Sequence, residues 1–592
     1  MTKEATSNPP RDTSFMRSLC MGEIEEDVIL PFPTLSDDER ETLGAVVNSI
    51  DDLLKPLESE FPKWDVAGEL PPEFIDKLRE FGLFSLVIPE EHGGMAFGSA
   101  AYSRTLQQIA RHDASVAVTV GAHSSIGMRG LLLFGTEEQR ARYMPRLATG
   151  ELIAAFCLTE PGAGSDAASI KTTAVRDGDH WLLNGNKLWI TNGGIADFFT
   201  VFAKTGGAEN RGKLAAFIVT RDMEGVTTGK HEDKMGIRAN STTSLYLDNV
   251  RVPAENLLGP ENGGFKVAMN ILNSGRSGLG GGCVGAMKAL LGRAVAQAKS
   301  RKTFGQPISE YGLIRQKLGQ MMVDTYCAES VVTMVAGLVD QGYTEYAVEA
   351  AISKVYSTEV LWRSADEALQ IAAGNGYMRE YPYERVLRDA RINRIFEGTN
   401  EVLRLFIALT AMRDVGEQLQ GLSRSLKGAF NHPIKGFGVL SSYAIRRASL
   451  ATGLRRPKSV FTRLDERLVE DARAFERMTR DLATAVDRVL RKHGKRVIER
   501  QFATRRLADI MIDLFVYSCV LSRVDATLRA SDAQGAPGDD AIHPLEILAT
   551  VRFQVERRVQ KHLAAIDHNE DESIKKLAAH ALDVDGYPWD VL

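Results

Sequence analysis

HWLLNGNKLWITNGG, residues 180 to 194, is where the hydrophobic rhythm of this 592-residue chain changes. Bulky side chains fall into two short runs on either side of Asn184-Gly185, a pair that suits a tight hairpin, so the spacing predicts strands. LAAFIVT (214–220) and SLYLDNVRV (244–252) read the same way. A small β domain is expected over residues 153–260.

On both sides of it the apolar period is helical. Upstream, Val46, Ile50, Leu53 and Leu54 follow Ser36-Asp37-Asp38-Glu39, an N-cap signal. Residues 38–152 are therefore expected to form a helical domain, preceded by a polar arm over 1–37 punctuated by Pro9, Pro10, Pro31 and Pro33. Downstream, helical spacing returns at FKVAMNILNSGR (265–276) and predicts a bundle of four or more long antiparallel helices over 261–415. The run GRSGLGGGCVG (275–285) contains G-x-G-x-x-G, but a dinucleotide fingerprint needs a preceding strand, and here the pattern is helical. From Gln418 to Leu464 there is no Asp or Glu, while Arg424, Lys427, Arg446, Arg447, Arg455 and Arg456 alternate with Phe437, Leu440, Tyr443 and Leu450. That basic amphipathic segment, 416–464, suits peripheral association with anionic lipid; a charged linker or a protein-partner site is the alternative. Residues 465–592 read as a second helical domain. The fold class is thus mostly α with a central β domain.

Composition narrows the function. Lys and Arg total 72 against 77 Asp and Glu, a net charge of −5 that gives no global reason to bind nucleic acid. The five cysteines are far apart, and the eleven histidines show no ligand spacing, so neither a disulfide framework nor a metal is expected. No stretch approaches the roughly 18 uninterrupted apolar residues of a spanning helix. The first thirty residues carry Glu4, Asp12, Glu23, Glu25, Glu26 and Asp27, too acidic for a transit peptide. The expected location is the cytoplasm, peripheral at the inner membrane face, or the mitochondrial matrix in a eukaryote.

Three segments carry chemistry. FEGTNEVLRLF (396–406) sets Glu397 and Gly398 before Thr399, an N-cap to the helix that follows, so a carboxylate sits in a turn suited to proton work. A solvated glutamate is the plain alternative. AFCLTEPGAGSDAAS (155–169) gathers Gly162, Gly164, Ser165 and Asp166, whose backbone N–H groups suit a cofactor's ring edge and phosphates, unless it is an ordinary glycine loop. Trp189, Ile190 and Thr191 end the β stretch; an aromatic beside a hydroxyl suits a planar heterocycle, though a strand Trp is commonly core.

LTEPGAGSD, KLWITNGG, SRKTFGQPI, LQIAAGNGY and RIFEGTNEVLR, in this order, resemble the flavin-dependent acyl-CoA dehydrogenases over residues 38 to 415. The Glu310-Tyr311-Gly312-Leu313-Ile314 spacing and the helical C-terminal extension resemble that family's very-long-chain branch. The resemblance implies Glu397 as catalytic base. It implies Phe156, Leu158, Thr159, Gly164, Ser165, Trp189, Ile190 and Thr191 around an FAD, with Thr399, Asn400 and Glu401 on its nucleotide half. Arg301 and Thr303 would hold the dinucleotide together with Gln370, Ile371 and Gly374 from a neighbouring subunit of a homodimer, and Ser165, Asn273, Arg276 and Gly398 would meet the substrate. It further implies oxidation of a long acyl-CoA to a trans-2-enoyl-CoA, with electrons passed to an electron-transfer flavoprotein. An assembly protein that keeps the fold, or an oxidase using oxygen, are the alternatives. The sequence departs from the family pattern at Tyr311-Gly312, at Ala372-Ala373 where glycine is frequent second, and at Gly275, which carries the base in some relatives. Ala117 and Gly121, one helical turn apart, offer either room for a long tail or a close helix contact.

Overall fold

Ser36 opens the first long helix, α1 (Asp37–Leu54), with a capping box: Glu39 N–H donates to Ser36 Oγ at 3.3 Å and Ser36 N–H to the Glu39 carboxylate at 3.0 Å. The computed structural model describes residues 12–206, 212–428, 461–533 and 539–591. It divides into one unit spanning Pro33–Val402 and a second that joins Thr13–Phe32 to Leu403–Leu592.

In the first unit, Ile50 and Leu54 of α1 pack with Phe61, Phe74, Leu78 and Phe84, and with Leu106 and Ile109 of α2 (Ser99–His112). The β domain is an eight-stranded sheet of β1 (Ala154–Cys157), β2 (Thr173–Asp177), β3 (His180–Thr191), β4 (Phe198–Thr205), β5 (Leu214–Thr220), β6 (Val226–Thr228), β7 (Thr242–Pro253) and β8 (Leu257–Leu258). Its order is β6-β7-β3-β2-β4-β5-β8, with β1 parallel to β4. The hairpin expected at Asn184-Gly185 is absent. Both halves belong to one twelve-residue strand, β3, and Gly185 sits at a register shift against β7, where a Cβ would lie 2.3 Å from Thr172 Oγ1. The turn falls instead at Gly178, φ +60, between Asp177 and Asp179.

The bundle consists of α3 (Gly264–Ser300), α4 (Gly312–Asp340) and α5 (Ala347–Ala372), followed by the shorter α6 (Tyr383–Ile392) and α7 (Asn400–Ala411). The first three run for 37, 29 and 26 residues. Helix α3 runs for 37 residues straight through the glycine run. These glycines are a contact surface: a Cβ at Gly281 would lie 2.6 Å from the Ser103 carbonyl oxygen of α2, and one at Gly285 2.0 Å from that of Gln107. Two helical stretches, Ala114–Phe134 and Gly312–Asp340, are after all long and apolar enough to cross a membrane by composition, but 67% and 72% of those windows are buried in protein. Core helices surrounded by neighbours are apolar on every face.

The second unit is built on α8 (Val469–His493), α9 (Gln501–Ala533) and α10 (Asp539–Asp567). Residues expected to form a polar arm belong to it. Helix Phe15–Met21 buries Phe15, Met16, Leu19 and Cys20, with Phe15 stacked 6.2 Å from Phe475 and tilted against Phe515 at 6.3 Å. Arg17 grips Asp414 through Nε at 2.9 Å and Nη2 at 2.6 Å, and Ser522 Oγ donates to the Ile29 carbonyl. Most of the 416–464 segment, residues 429–460, lies outside the described residues.

Candidate active site

Glu397 sits in the turn between α6 and α7 with φ +55, followed by Gly398 at φ +94. A left-handed glutamate is held at a local cost of about 1–2 kcal/mol, and such residues concentrate at functional sites. Part of the residue is accessible, while Oε2 is out of solvent contact and has no hydrogen-bond partner. Burial raises its pKa above the ordinary carboxylate value, and the cations of Arg276 and Lys354 pull it back. Thr399 Oγ1 accepts from Val402 N–H at 3.3 Å, the N-cap expected of it. Gly275 of α3 faces the carboxylate: its Cβ would stand 3.4 Å from Glu397 Oε1 and 2.8 Å from Ile126 Cγ2. The position that carries the base in some relatives thus adjoins Glu397 in space. Ile126 reaches it from a π-helical turn, Ala122–Gly127, an irregularity the apolar period of the sequence does not signal.

Two of the expected contact residues are buried. Asn400 has no exposed surface; it accepts from Lys354 Nζ at 2.8 Å and donates to Thr358 Oγ1 at 3.0 Å. Arg276 is only 5% exposed and donates to Asn273 Oδ1 at 2.6 Å. Its charge draws the Glu397 carboxyl down.

The glycine loop and the end of β3 come together. Leu188 N–H donates to the Thr159 carbonyl at 2.9 Å, which sets Phe156, Leu158 and Thr159 beside Trp189, Ile190 and Thr191. Trp189 is 62% exposed with φ +56, so it is not core. Ile190 and Leu158 are buried at 2% and 6%, leaving mainly their backbones for a ligand. Gly164 and Ser165 are exposed, and a Cβ at Gly162 or Gly164 would meet nothing within 4 Å. What pins this open loop went unread in the sequence: Glu160 accepts from Lys187 Nζ at 2.8 Å and Thr172 N–H at 3.0 Å, and Lys187 has no exposed surface.

Thr303 lies in a two-stranded hairpin (Lys302–Thr303 with Gln306–Pro307), tied by Tyr311 Oη donating to the Thr303 carbonyl at 2.8 Å, and Arg301 caps α3 just before it. Phe304 at its tip is 97% exposed. At about 1.5 Å per residue, Arg301, the C-cap of α3, is roughly 38 Å along the helix axis from Arg276. Gln370 and Gly374 are exposed at the end of α5, with Ile371 buried and Ala373 at φ +53, ψ −131. Glu401 is exposed at the start of α7.

Family models of the acyl-CoA dehydrogenase N-terminal, middle and C-terminal domains match residues 36–151, 155–250 and 262–412. The chain belongs to the acyl-CoA dehydrogenase family. A fourth model, the ACAD9/ACADV C-terminal domain, matches residues 466–587 of this acyl-CoA dehydrogenase. The chain is 40% identical over 575 residues to the very long-chain specific acyl-CoA dehydrogenase, mitochondrial, of Bos taurus, covering 95% of this chain and 86% of that protein. It is 41% identical over 566 residues to the Homo sapiens protein of the same name, covering 93% and 84%. Among solved structures it resembles an acyl-CoA dehydrogenase from Bacillus anthracis complexed with FAD, with TM-score 0.78 and 31% identity over 93% of this chain and 91% of that one. Butyryl-CoA dehydrogenase from Megasphaera elsdenii matches with TM-score 0.60 and 37% identity over 63% and 98%. This enzyme is accordingly an oxidoreductase with the family's three domains and an added helical one.

Proposed function

We propose that this acyl-CoA dehydrogenase oxidises long- or very-long-chain acyl-CoA to trans-2-enoyl-CoA, with Glu397 as base, FAD as cofactor and an electron-transfer flavoprotein as acceptor. The observation that carries the reading is the Glu397 carboxylate itself, with Oε2 shut off from water and unpartnered beside a helix that keeps Gly275 opposite it. A proton α to a thioester is too weakly acidic for a glutamate at its reference pKa of about 4.3. Burial strengthens this base, while Arg276 and Lys354 keep enough of it ionised to act. The Glu397 backbone N–H, donating to the thioester oxygen, would stabilise the enolate that forms.

The β-domain residues fit a flavin dinucleotide: an exposed indole in strained backbone for the ring, and an open glycine loop with Thr159, Ser165 and Thr191 for its polar edge. When bound, FAD accepts the β-hydrogen as hydride. Phe156 and Trp189 would flank the ring and Glu401 and Thr399 the nucleotide half. Arg301, Gln370 and Gly374 stand exposed on the bundle and Thr303 is half-buried, with Arg301 at the far end of α3 from Gly275, which suits them to a cofactor held by the second copy of a homodimer.

The long-chain assignment is supported by the names of the mitochondrial relatives. Peripheral membrane binding is assigned to the 416–464 segment; salt-sensitive co-sedimentation with anionic liposomes tests it. The deciding experiment adds palmitoyl-CoA anaerobically to the purified enzyme and to Glu397→Gln. The flavin absorbance should bleach in the wild type alone; bleaching in both refutes the base assignment. Turnover that releases hydrogen peroxide instead of reducing an electron-transfer flavoprotein refutes the acceptor.

A further inference from the structure

Lys354 has no exposed surface, yet the contacts of its side chain reach beyond its own helix. From α5 it extends to the turn that carries Glu397, where Nζ donates to the Gly398 carbonyl and to Asn400 Oδ1, both at 2.8 Å. Asn400 is locked in turn, because its Nδ2 donates back to α5 at Thr358 Oγ1, 3.0 Å, and Glu359 Oε1, 2.9 Å. The other Glu359 oxygen is paired with Arg394 at 3.1 Å, just ahead of the same turn. The backbone held between these anchors is the left-handed pair Glu397 and Gly398. A conformation that costs a glutamate about 1–2 kcal/mol persists only where its surroundings over-determine it, and these contacts do so.

The ammonium also acts as a charge. It draws the Glu397 carboxyl down against the burial that raises it. Burial pushes Lys354 itself down to about 8, with Glu397 supporting the cation from the turn, Arg276 opposing it from α3, Cys283 supporting it from α3 and Glu359 supporting it from its own helix. At neutral pH the side chain is therefore mostly charged.

We propose that Lys354 is the positioning residue for the base: it fixes the left-handed Glu397–Gly398 turn through Gly398 and Asn400, and its charge keeps the half-buried Glu397 carboxylate ionised. The inference rests on the reading of Glu397 as base and goes beyond it.

The test is the rate of anaerobic flavin bleaching by palmitoyl-CoA between pH 5.5 and 9, measured on holoenzyme. In Lys354→Met the acid limb that reports Glu397 should move up by about one pH unit, since an opposite charge at close range is worth about 1–3 units. The limiting rate should fall at least tenfold while the half-saturating palmitoyl-CoA concentration changes less than threefold. Lys354→Arg should keep the limb at its wild-type pH. A lysine that only supported packing would lower the yield of flavin-loaded enzyme and leave the limb in place. If Lys354→Met does not fold, Asn400→Asp, which sets a second carboxylate against the ammonium, should also move the limb upward. A limb unmoved in whichever variant folds, or shifted as far in Lys354→Arg as in Lys354→Met, overturns the proposal. Persistent bleaching in Glu397→Gln overturns the base assignment instead.

Discussion

Replacing Gly285 by alanine should destabilise the first unit, whereas the same replacement at Gly292, two turns along the same helix, should stabilise it. Both glycines lie inside α3, where alanine is the better helix former by about 1 kcal/mol. At Gly292 a Cβ meets nothing within 4 Å, so that full gain is expected. At Gly285 it would stand 2.0 Å from the Gln107 carbonyl oxygen and 2.8 Å from its carbon, which are backbone atoms of α2 and cannot rotate away. Helices must then separate, and overpacking of this kind costs about 3 kcal/mol at the upper end of its usual range. The net expectation is a loss of about 2 kcal/mol at Gly285 against a gain of about 1 at Gly292. Gly282, where a Cβ would touch Ala110 Cβ at an ordinary 3.8 Å, should behave like Gly292. Urea unfolding followed by tryptophan fluorescence reads the right unit, since four of the five tryptophans lie within Pro33–Val402. Equal stability of the Gly285 and Gly292 variants would refute the reading of this run as a contact surface between α2 and α3.

Ala373→Gly should raise stability by about 1 kcal/mol in the same assay, because φ +53 with ψ −131 is glycine's territory and the strain relieved exceeds the added freedom of the unfolded chain. Lys187→Met strands the Glu160 carboxylate beside an apolar chain and should cost about 3 kcal/mol; because Glu160 anchors the glycine loop, flavin should be lost more readily on gel filtration. His123 is fully buried, accepts from Ala154 N–H through Nδ1 at 3.0 Å, and has its pKa pushed down by burial to about 4. Between that value and about 6.5 the unfolded chain binds the extra proton, so stability should fall as pH drops through this window, by up to about 3 kcal/mol, and His123→Gln should flatten the slope.

Much of the fold is written in local pattern. Ser36 with Glu39, and the apolar spacing of Ile50 and Leu54, state the start and inner face of α1 without help from the rest of the chain. Where two local signals compete, the sequence does not choose. Asn184-Gly185 and Asp177-Gly178 are both good hairpin turns, and only the close approach of Thr172 to Gly185 makes the first a strand irregularity and the second the turn. Glu397 is legible because a short motif surrounds it. Lys354 and Lys187 are not, since each falls in an apolar-periodic run where a lysine reads as the solvent side, and each is buried by a carboxylate or carbonyl far off in sequence. The helix at Phe15–Met21 escaped for the same reason: its partners are Phe475 and Phe515.

That distance sets a timetable for synthesis. Thr13–Phe32 emerges from the ribosome early, but the remainder of its unit begins at Leu403. With about 370 residues between them and translation at about 5–20 residues per second, Phe15, Met16, Leu19 and Ile29 stay without their partners for roughly 20–70 seconds. The first unit can close while its neighbour still lacks most of its chain. An mRNA that stops after the Glu397 turn would leave a folded first unit trailing an apolar N-terminal hook, a ready target for chaperones and proteases.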